Sequence, residues 1–155
     1  MSFEFLHSGR DEPSILIPAF GLELKVRLPP DASGGQMTIF ETTNAPGFGP
    51  PLHRHRETEV FHVTVGRYLF EVDGRRFHAE TGDLVSVPGG AVHGFVNVTD
   101  RPASQLIMLT PGLDAAAFFT GLGILFAQGK PDPARLAEFG LLWGVEFLGP
   151  PLKPG

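Results

Sequence analysis

The sequence contains no cysteine, which excludes disulfide bonds and thiolate chemistry. No apolar run approaches the length of a membrane-spanning helix, so the sequence predicts no membrane partner. The opening residues, Met-Ser-Phe-Glu, lack the basic and apolar regions of a secretory signal. Together these absences favour a cytoplasmic location.

Basic residues are in the minority and form no stripe. The chain has 12 Lys and Arg against 17 Asp and Glu, for a formal net charge of -5. A nucleic-acid-binding surface needs clustered positive charge to neutralise phosphates. We therefore expect no nucleic-acid partner.

Short strands separated by turns are the dominant pattern. A chain of 155 residues can bury one sizeable core but is too short to favour two domains, and its 20 glycines and 15 prolines supply many turns. Alternating apolar residues predict strands at 15–17, 22–28, 37–43, 58–65, 68–72, 75–79, 84–87, 93–98 and 105–110. This pattern indicates an all-β fold, either a sandwich or a barrel such as a jelly roll.

The last part of the chain changes to a helical pattern. Residues 113–128 carry apolar side chains at mostly helical spacing, and Pro133 after Asp132 resembles a helix start. We therefore predict a β-barrel unit at 1–112 and a helical extension of the same domain at 113–155, with two helices packed on the barrel. The apolar face of the first helix favours core packing, with a subunit interface or a pocket lid as alternatives.

Three histidines and one glutamate have the spacing of metal ligands. His53 and His55 are two residues apart and Glu59 follows at an even interval, so all three can share one face of a strand. His93 must then come from a neighbouring or facing strand, and Asp73-Gly74 is a favoured hairpin turn that lets the chain fold back. Imidazole and carboxylate suit one divalent ion of iron, nickel, cobalt, manganese, copper or zinc.

The other charged and imidazole side chains near these ligands fit a surface role. His62 has the opposite parity to Glu59, and His78 and His7 lie outside the ligand segments. We also expect a solvated face or loop for the residues between the ligands, Arg54, Arg56 and Glu57.

Two glycine-framed segments carry the four ligands in a pattern that resembles the cupin superfamily. The superfamily motifs read Gly-(x)5-His-x-His-(x)3,4-Glu-(x)6-Gly and Gly-(x)5-Pro-x-Gly-(x)2-His-(x)3-Asn. The chain meets every specified position of both motifs, with Gly47, His53, His55, Glu59 and Gly66, then Gly82, Pro88, Gly90, His93 and Asn97.

This resemblance implies a single cupin jelly-roll β-barrel with a metal ion held by His53, His55, Glu59 and His93, and it favours a homodimer. The tail, from Pro131 to Pro151, is similar to that of small bacterial cupins near quercetin 2,3-dioxygenase, although their first helix is commonly more polar. In such enzymes an aromatic enol or hydroxyl binds the metal, a glutamate accepts its proton and dioxygen attacks the ring. Glu59 matches that glutamate as ligand, catalytic base or both.

Four phenylalanines surround the predicted site in sequence. Phe61 and Phe95 share the strand parity of Glu59 and His93, Phe48 lies in the loop before the first motif, and Phe40 belongs to the preceding strand. They fit the lining of an apolar substrate pocket, and they fit the filling of a small barrel equally well.

The leading function is a metal-dependent dioxygenase that acts with dioxygen on a small aromatic or enolic substrate. Two alternatives remain open. The same ion used as a Lewis acid would serve an isomerase or hydrolase. A barrel that holds a small molecule without turnover would serve as a binding or sensing module.

Overall fold

Eleven strands, two helices and two short 3-10 turns make up the computed structural model, which describes residues 5–155. In chain order the strands and helices are β1 (Ile15–Ile17), β2 (Leu22–Leu28), β3 (Thr38–Asn44), β4 (Pro51–His55), β5 (Thr58–Val65), β6 (Arg67–Val72), β7 (Arg75–Glu80), β8 (Leu84–Val87), β9 (His93–Asn97), β10 (Ala103–Thr110), α1 (Ala115–Phe126), α2 (Pro133–Trp143) and β11 (Val145–Pro151).

The strands form two antiparallel sheets. One has the order β1-β2-β3-β10-β5-β8 and the other β11-β4-β9-β6-β7. Neighbours in each sheet are often distant in sequence, as in the pairing of β10 with β3 and β5. The mostly β architecture is confirmed, and the two sheets with two helices are consistent with the predicted jelly roll.

Strand alternation determines which side chains enter the space between the sheets. In β3, buried and partly buried residues alternate, and Phe40 is 2% exposed. Phe61 on β5 and Phe70 and Phe95 on β6 and β9 meet between the sheets, with ring centroids 5.3 to 5.6 Å apart. Burial of one such ring contributes about 1.5–3 kcal/mol, so this aromatic layer is a main source of stability.

A tight hairpin joins β6 to β7 and braces the segment before β9. Asp73 and Gly74 have φ values of 46° and 80°, the left-handed conformation that an Asp-Gly turn of this kind requires. The Asp73 carboxylate accepts a hydrogen bond from Val92 N at 2.8 Å, and Asp73 N donates to Val92 O at 2.8 Å. The predicted turn therefore also holds the chain immediately before His93.

Both predicted helices are present, and both have carboxylate caps. Asp114 accepts from Ala117 N at the start of α1, and Asp132 accepts from Arg135 N at the start of α2. Replacement of such a cap by alanine typically costs about 1 kcal/mol. Within residues 5–155, neither helix combines the length and apolar character needed to cross a membrane.

The C-terminal segment also contains a strand that the sequence did not predict. After α2 ends at Gly144, β11 pairs with β4, and Phe147 lies opposite His53. The Gly-Pro-Pro sequence at its end resembles a chain break, but β11 is at the edge of its sheet, where proline is tolerated. The extension predicted at 113–155 is therefore not only helical.

Candidate metal centre

Three strands from the two sheets bring the four predicted ligands to one point. β4 carries His53 and His55, and β9 carries His93. The even spacing predicts Glu59 on the strand of His53 and His55, but the chain bends at residues 56–57 and places Glu59 on β5 of the other sheet. Pairing of β4 with β9 places His53 opposite His93, and the other sheet supplies Glu59. One ligand atom from each residue lies within 4.8 Å of the other three. The predicted ligands are therefore neighbours in space.

Each histidine ring is oriented by a backbone carbonyl two residues away. Because a carbonyl oxygen only accepts hydrogen bonds, Nδ1 carries the proton and Nε2 is directed towards the cluster as the ligand atom. The Nδ1 atoms donate to Pro51 O at 2.7 Å from His53, to Glu57 O at 3.0 Å from His55 and to Ala91 O at 2.9 Å from His93.

Glu59 is the acceptor at the centre of the cluster. Its Oε2 lies 3.1 Å from His55 Nε2 and 3.0 Å from His93 Nε2. Burial opposes ionisation of Glu59, but the hydrogen bonds and positive charge of the two histidines outweigh it and hold the pKa of this carboxyl well below its usual range. Glu59 is therefore an anion near neutral pH.

The two histidines of β4 differ in their protonation. Burial, followed by the charge of His93, lowers the pKa of His53 to about 4, so this ring is neutral and ready to coordinate at pH 7. Burial also acts to lower the pKa of His55, but the hydrogen bond and charge of Glu59 and the charge of Glu57 outweigh it and raise this pKa. A metal ion would displace the proton shared between His55 and Glu59.

This donor set fits a transition-metal ion. Once a metal ion has displaced the Nε2 protons, three imidazole nitrogens and one carboxylate oxygen suit iron, nickel, cobalt, copper, zinc or manganese. Four protein donors in a six-coordinate arrangement leave positions for other molecules.

Glycines of the two motifs shape the backbone around the ligands. Gly90 has a φ of 90°, which side-chain-bearing residues rarely adopt, and its N–H donates to His55 O at 2.8 Å. This bond ties the loop before β9 to the end of β4. Gly66 also has a positive φ, and a Cβ there would come within 2.8 Å of the Ala103 Cβ.

An apolar cavity of about 100 Å³ opens onto the ligand cluster. Phe40 and Phe95 are among its lining residues, as are His53, His55 and Glu59. Helix α1 closes one side with Phe118, Phe119 and Leu122, and Phe119 packs edge-on against Phe40 with ring centroids 5.5 Å apart. The first helix is therefore part of the cavity wall as well as of the core.

The other two predicted pocket residues do not line this cavity. Phe61 is fully buried among Phe70, Phe95 and His93, so its ring fills the core behind the ligands. Phe48 is 41% exposed, and its ring covers Gly21, where a Cβ would come within 2.7 Å of the Phe48 Cγ. Strand parity brought Phe61 to the correct face, but the packing of neighbouring rings excludes it from the open space.

Glu57 is a functional candidate that the sequence analysis assigned to a solvated face. Its side chain is buried, it lines the cavity, and its Oε2 lies 3.6 Å from His55 Nδ1. Its spacing in the sequence could have indicated this position, because Glu57 lies two residues from both His55 and Glu59. Arg54 and Arg56 are exposed as expected, and so are His62 and His78.

Comparison with known proteins identifies the fold. Residues 40–109 match the family model described as a cupin domain. No curated protein matches the sequence.

Solved structures share the architecture. An RmlC-like cupin from Shewanella frigidimarina is 21% identical, with a TM-score of 0.61 over 71% of this chain and 93% of that one. The polyketide cyclase RemF from Streptomyces resistomycificus is 18% identical, with a TM-score of 0.59 over 70% and 80% of the two chains. A sugar phosphate isomerase of the cupin superfamily from Silicibacter pomeroyi is 29% identical, with a TM-score of 0.52 over 66% and 68%.

The matched range includes all four predicted ligands, His53, His55, Glu59 and His93. The family match and the structural likeness lead to one conclusion: residues 40–109 match a cupin domain, and the chain has the cupin fold.

Proposed function

We propose that this protein is a metal-dependent dioxygenase of the quercetinase-like kind, acting on a small aromatic or enolic substrate. The observation that carries the proposal is the character of the cavity. It is lined mainly by apolar and aromatic side chains and ends on a cluster of three histidines and a glutamate. A small-molecule site commonly combines such a wall with a few polar groups that orient the ligand.

The charge of the cavity restricts the substrate class. Among the described residues that line it, none is Lys or Arg, and the acidic ones are Glu57 and Glu59. Away from the ion, a phosphate or a free carboxylate would find no arginine or lysine to pair with it, and an unpaired charge in an apolar site is strongly disfavoured. An uncharged ligand that ionises only at the metal avoids this cost.

The protein's own residues have separate tasks in this proposal. His53, His55, His93 and Glu59 would hold the ion. When bound, such an ion supplies Lewis acidity and, if redox-active, electron transfer with dioxygen. Glu59 lies among the predicted ligands, and a carboxylate released from the ion could accept the proton of an enol or phenol within hydrogen-bond reach.

A dioxygenase inserts both atoms of dioxygen into its substrate, and oxidation of that substrate supplies the electrons. No separate reductant is required. Phe118, Phe119 and Leu122 of α1 help to form a dry wall over the site, and exclusion of water protects reactive intermediates from hydrolysis.

A non-redox reaction is the second candidate, and the two buried carboxylates favour it. Glu57 and Glu59 are 6% and 7% exposed and line the same cavity. Two carboxylates beside a Lewis acid can move a proton between carbon and oxygen, as an isomerase requires. The neighbours named as a cyclase and an isomerase have the same fold, but a sugar phosphate conflicts with the charge of this cavity.

Metal analysis combined with oxygen uptake tests the proposal. Protein purified without added metal is assayed for bound ions and for oxygen consumption with a panel of flavonols and other enols, with His93→Ala as the control. Consumption of one dioxygen per substrate, dependent on His93, supports a dioxygenase. Zinc as the native ion with substrate turnover but no oxygen uptake would support the isomerase, and binding without turnover would support a binding module.

A further inference from the structure

The wall of the cavity contains a polar residue that the proposed chemistry does not use. Thr42 lies on β3 between Phe40 and Asn44, and all three line the cavity because alternate residues of a strand face the same way. Thr42 is 3% exposed, and its Oγ1 has no hydrogen-bond partner among the described residues. A buried hydroxyl without a partner is uncommon in native proteins.

The surroundings of Thr42 are polar and uncharged. Gln105 lies directly opposite on β10 and is fully buried. Asn44 Oδ1 accepts from the Tyr68 hydroxyl at 3.0 Å, which fixes the orientation of that amide. Hydroxyl and amide groups both donate and accept, so this patch suits a neutral oxygen atom such as a hydroxyl or carbonyl.

Thr42 and the metal ligands lie at different levels of the sheet. Glu59 pairs with Leu109 of β10, whereas Thr42 pairs with Gln105 of the same strand. Four residues of strand separate these two levels, which corresponds to about 13 Å along β10. Phe40 and Ile107 line the cavity between the two polar ends.

We infer that Thr42, with Gln105 and Asn44 beside it, forms a second anchoring point that hydrogen-bonds an uncharged hydroxyl or carbonyl at the far end of the ligand. This inference rests on the proposed function for the metal-binding end. A metal–oxygen bond of about 2 Å and a hydrogen bond of about 2.8 Å take up part of the distance of about 13 Å, which leaves roughly 8 Å between the two ligand oxygens. The substrate class is therefore narrowed to flat, uncharged molecules that carry an enol at one end and a second polar oxygen about two rings away. Thr42 would then determine specificity, because a site built for a hydroxyl discriminates against an analogue that lacks it.

A purely structural role for Thr42 makes a different prediction from a binding role. If the hydroxyl contributed to folding through hydrogen bonds, its removal would lower stability. If it awaits a ligand, its desolvation is a cost to the ligand-free protein, and Thr42→Val should be at least as stable as the parent. Thr43→Val is the matched control, because Thr43 is the next residue of β3 and its hydroxyl is bonded to Ser104 Oγ at 2.9 Å.

Two flavonols provide the binding test. The probes 3-hydroxyflavone and 3,4′-dihydroxyflavone have the same enol and differ by one distal hydroxyl. Trp143, the single tryptophan, packs on the cavity residue Phe118 with ring centroids 5.6 Å apart, so its fluorescence reports on ligands. Binding is titrated on the metal-loaded parent, Thr42→Val and Thr43→Val, after metal content is shown to be equal.

For Thr42→Val we expect an unchanged or higher urea midpoint and an approximately tenfold weaker binding of 3,4′-dihydroxyflavone, about 1.4 kcal/mol. Binding of 3-hydroxyflavone should be unchanged, and Thr43→Val should bind both probes as the parent does. The inference would be overturned if Thr42→Val weakened the binding of both probes equally or of neither, or if it clearly lowered the urea midpoint. Absence of binding by the parent protein would also overturn it. If binding depends on Thr42 but no oxygen is consumed, the dioxygenase proposal is rejected and the anchoring point at Thr42 is retained. If the flavonols are turned over with oxygen uptake and Thr42→Val has no effect, the anchoring point is rejected and the dioxygenase is retained.

Discussion

Replacement of Glu59 by glutamine separates the roles of the two carboxylates in the cavity. Glu59→Gln keeps an oxygen donor of nearly the same shape but removes the negative charge and the basic site. Glu57→Gln makes the same chemical change two residues away, on a carboxylate that also lines the cavity. The two variants are therefore matched in chemistry and burial and differ in their position relative to the ligand cluster.

The structure predicts the size of each effect. Glu59 Oε2 is 3.0 to 3.1 Å from two ligand nitrogens, whereas the Glu57 carboxylate is 3.6 Å from the Nδ1 side of His55. If Glu59 is the general base, its loss should lower turnover about 10²–10⁴-fold, or about 2.7–5.5 kcal/mol in the barrier. Glu57→Gln should retain most of the activity.

Metal retention should be affected less than turnover. Loss of the charge on Glu59 weakens attraction for a cation, but that charge also raises the pKa of His55. In Glu59→Gln the His55 proton is held less tightly, so it competes less with the metal at neutral pH. The two effects oppose each other, and we expect near-normal metal content.

The assay is turnover of a flavonol per bound metal ion, with metal content measured on the same samples. Equal turnover per metal in Glu59→Gln and the parent would refute the base role. A larger loss in Glu57→Gln would transfer that role to Glu57, which lies two residues before Glu59 and lines the same cavity.

Three further predictions concern the metal ligands, the effect of low pH and the cavity wall formed by α1. Alanine at His53 or His93 should remove most of the bound metal without changing the circular dichroism spectrum. Alanine at the exposed His62 is the control and should remove none. Full metal content in His53→Ala or His93→Ala would contradict their assignment as ligands. Metal occupancy should fall on acidification. In the metal-free protein, the pKa of His53 is about 4, against 6.5 in the unfolded chain. Between these pH values the unfolded state binds more protons, so the free energy of unfolding falls as the pH is lowered. Urea unfolding should show a loss of about 1.5 kcal/mol from about pH 6.5 to about pH 5, and an unchanged free energy of unfolding would count against a buried neutral ring. Tryptophan at cavity residue Leu122 should block ligand binding without metal loss, whereas the same change at Ile124, 73% exposed, should not; equal binding would place the ligand elsewhere.

The predicted homodimer is a separate question, which size-exclusion chromatography with light scattering can test. The proposed metal site does not depend on it, since all four predicted ligands come from one chain.

Local rules made much of this protein predictable from its sequence. The shared direction of His53 and His55 depends on strand alternation, the Asp73-Gly74 turn depends on left-handed backbone conformations, and the cap at Asp132 depends on the first turn of a helix. Each involves only a few consecutive residues, so composition and order determine it. For the same reason the strand and helix predictions agree closely with β2, β5, β8 and α1 and with the start of α2.

Contacts between residues far apart in the chain determine the features that the sequence did not predict. Only the pairing with β4 makes a strand of β11, whose Gly-Pro-Pro end resembles a break. Only the packing of neighbouring rings excludes Phe61 from the cavity and leaves Phe40 and Phe95 on its wall. The burial of Glu57 and of Thr42 without a partner likewise depends on segments far apart in the chain. The sequence by itself determined which residues can bind a metal, whereas the tertiary structure decided what surrounds that metal, because enclosure is a property of surfaces that meet only after folding.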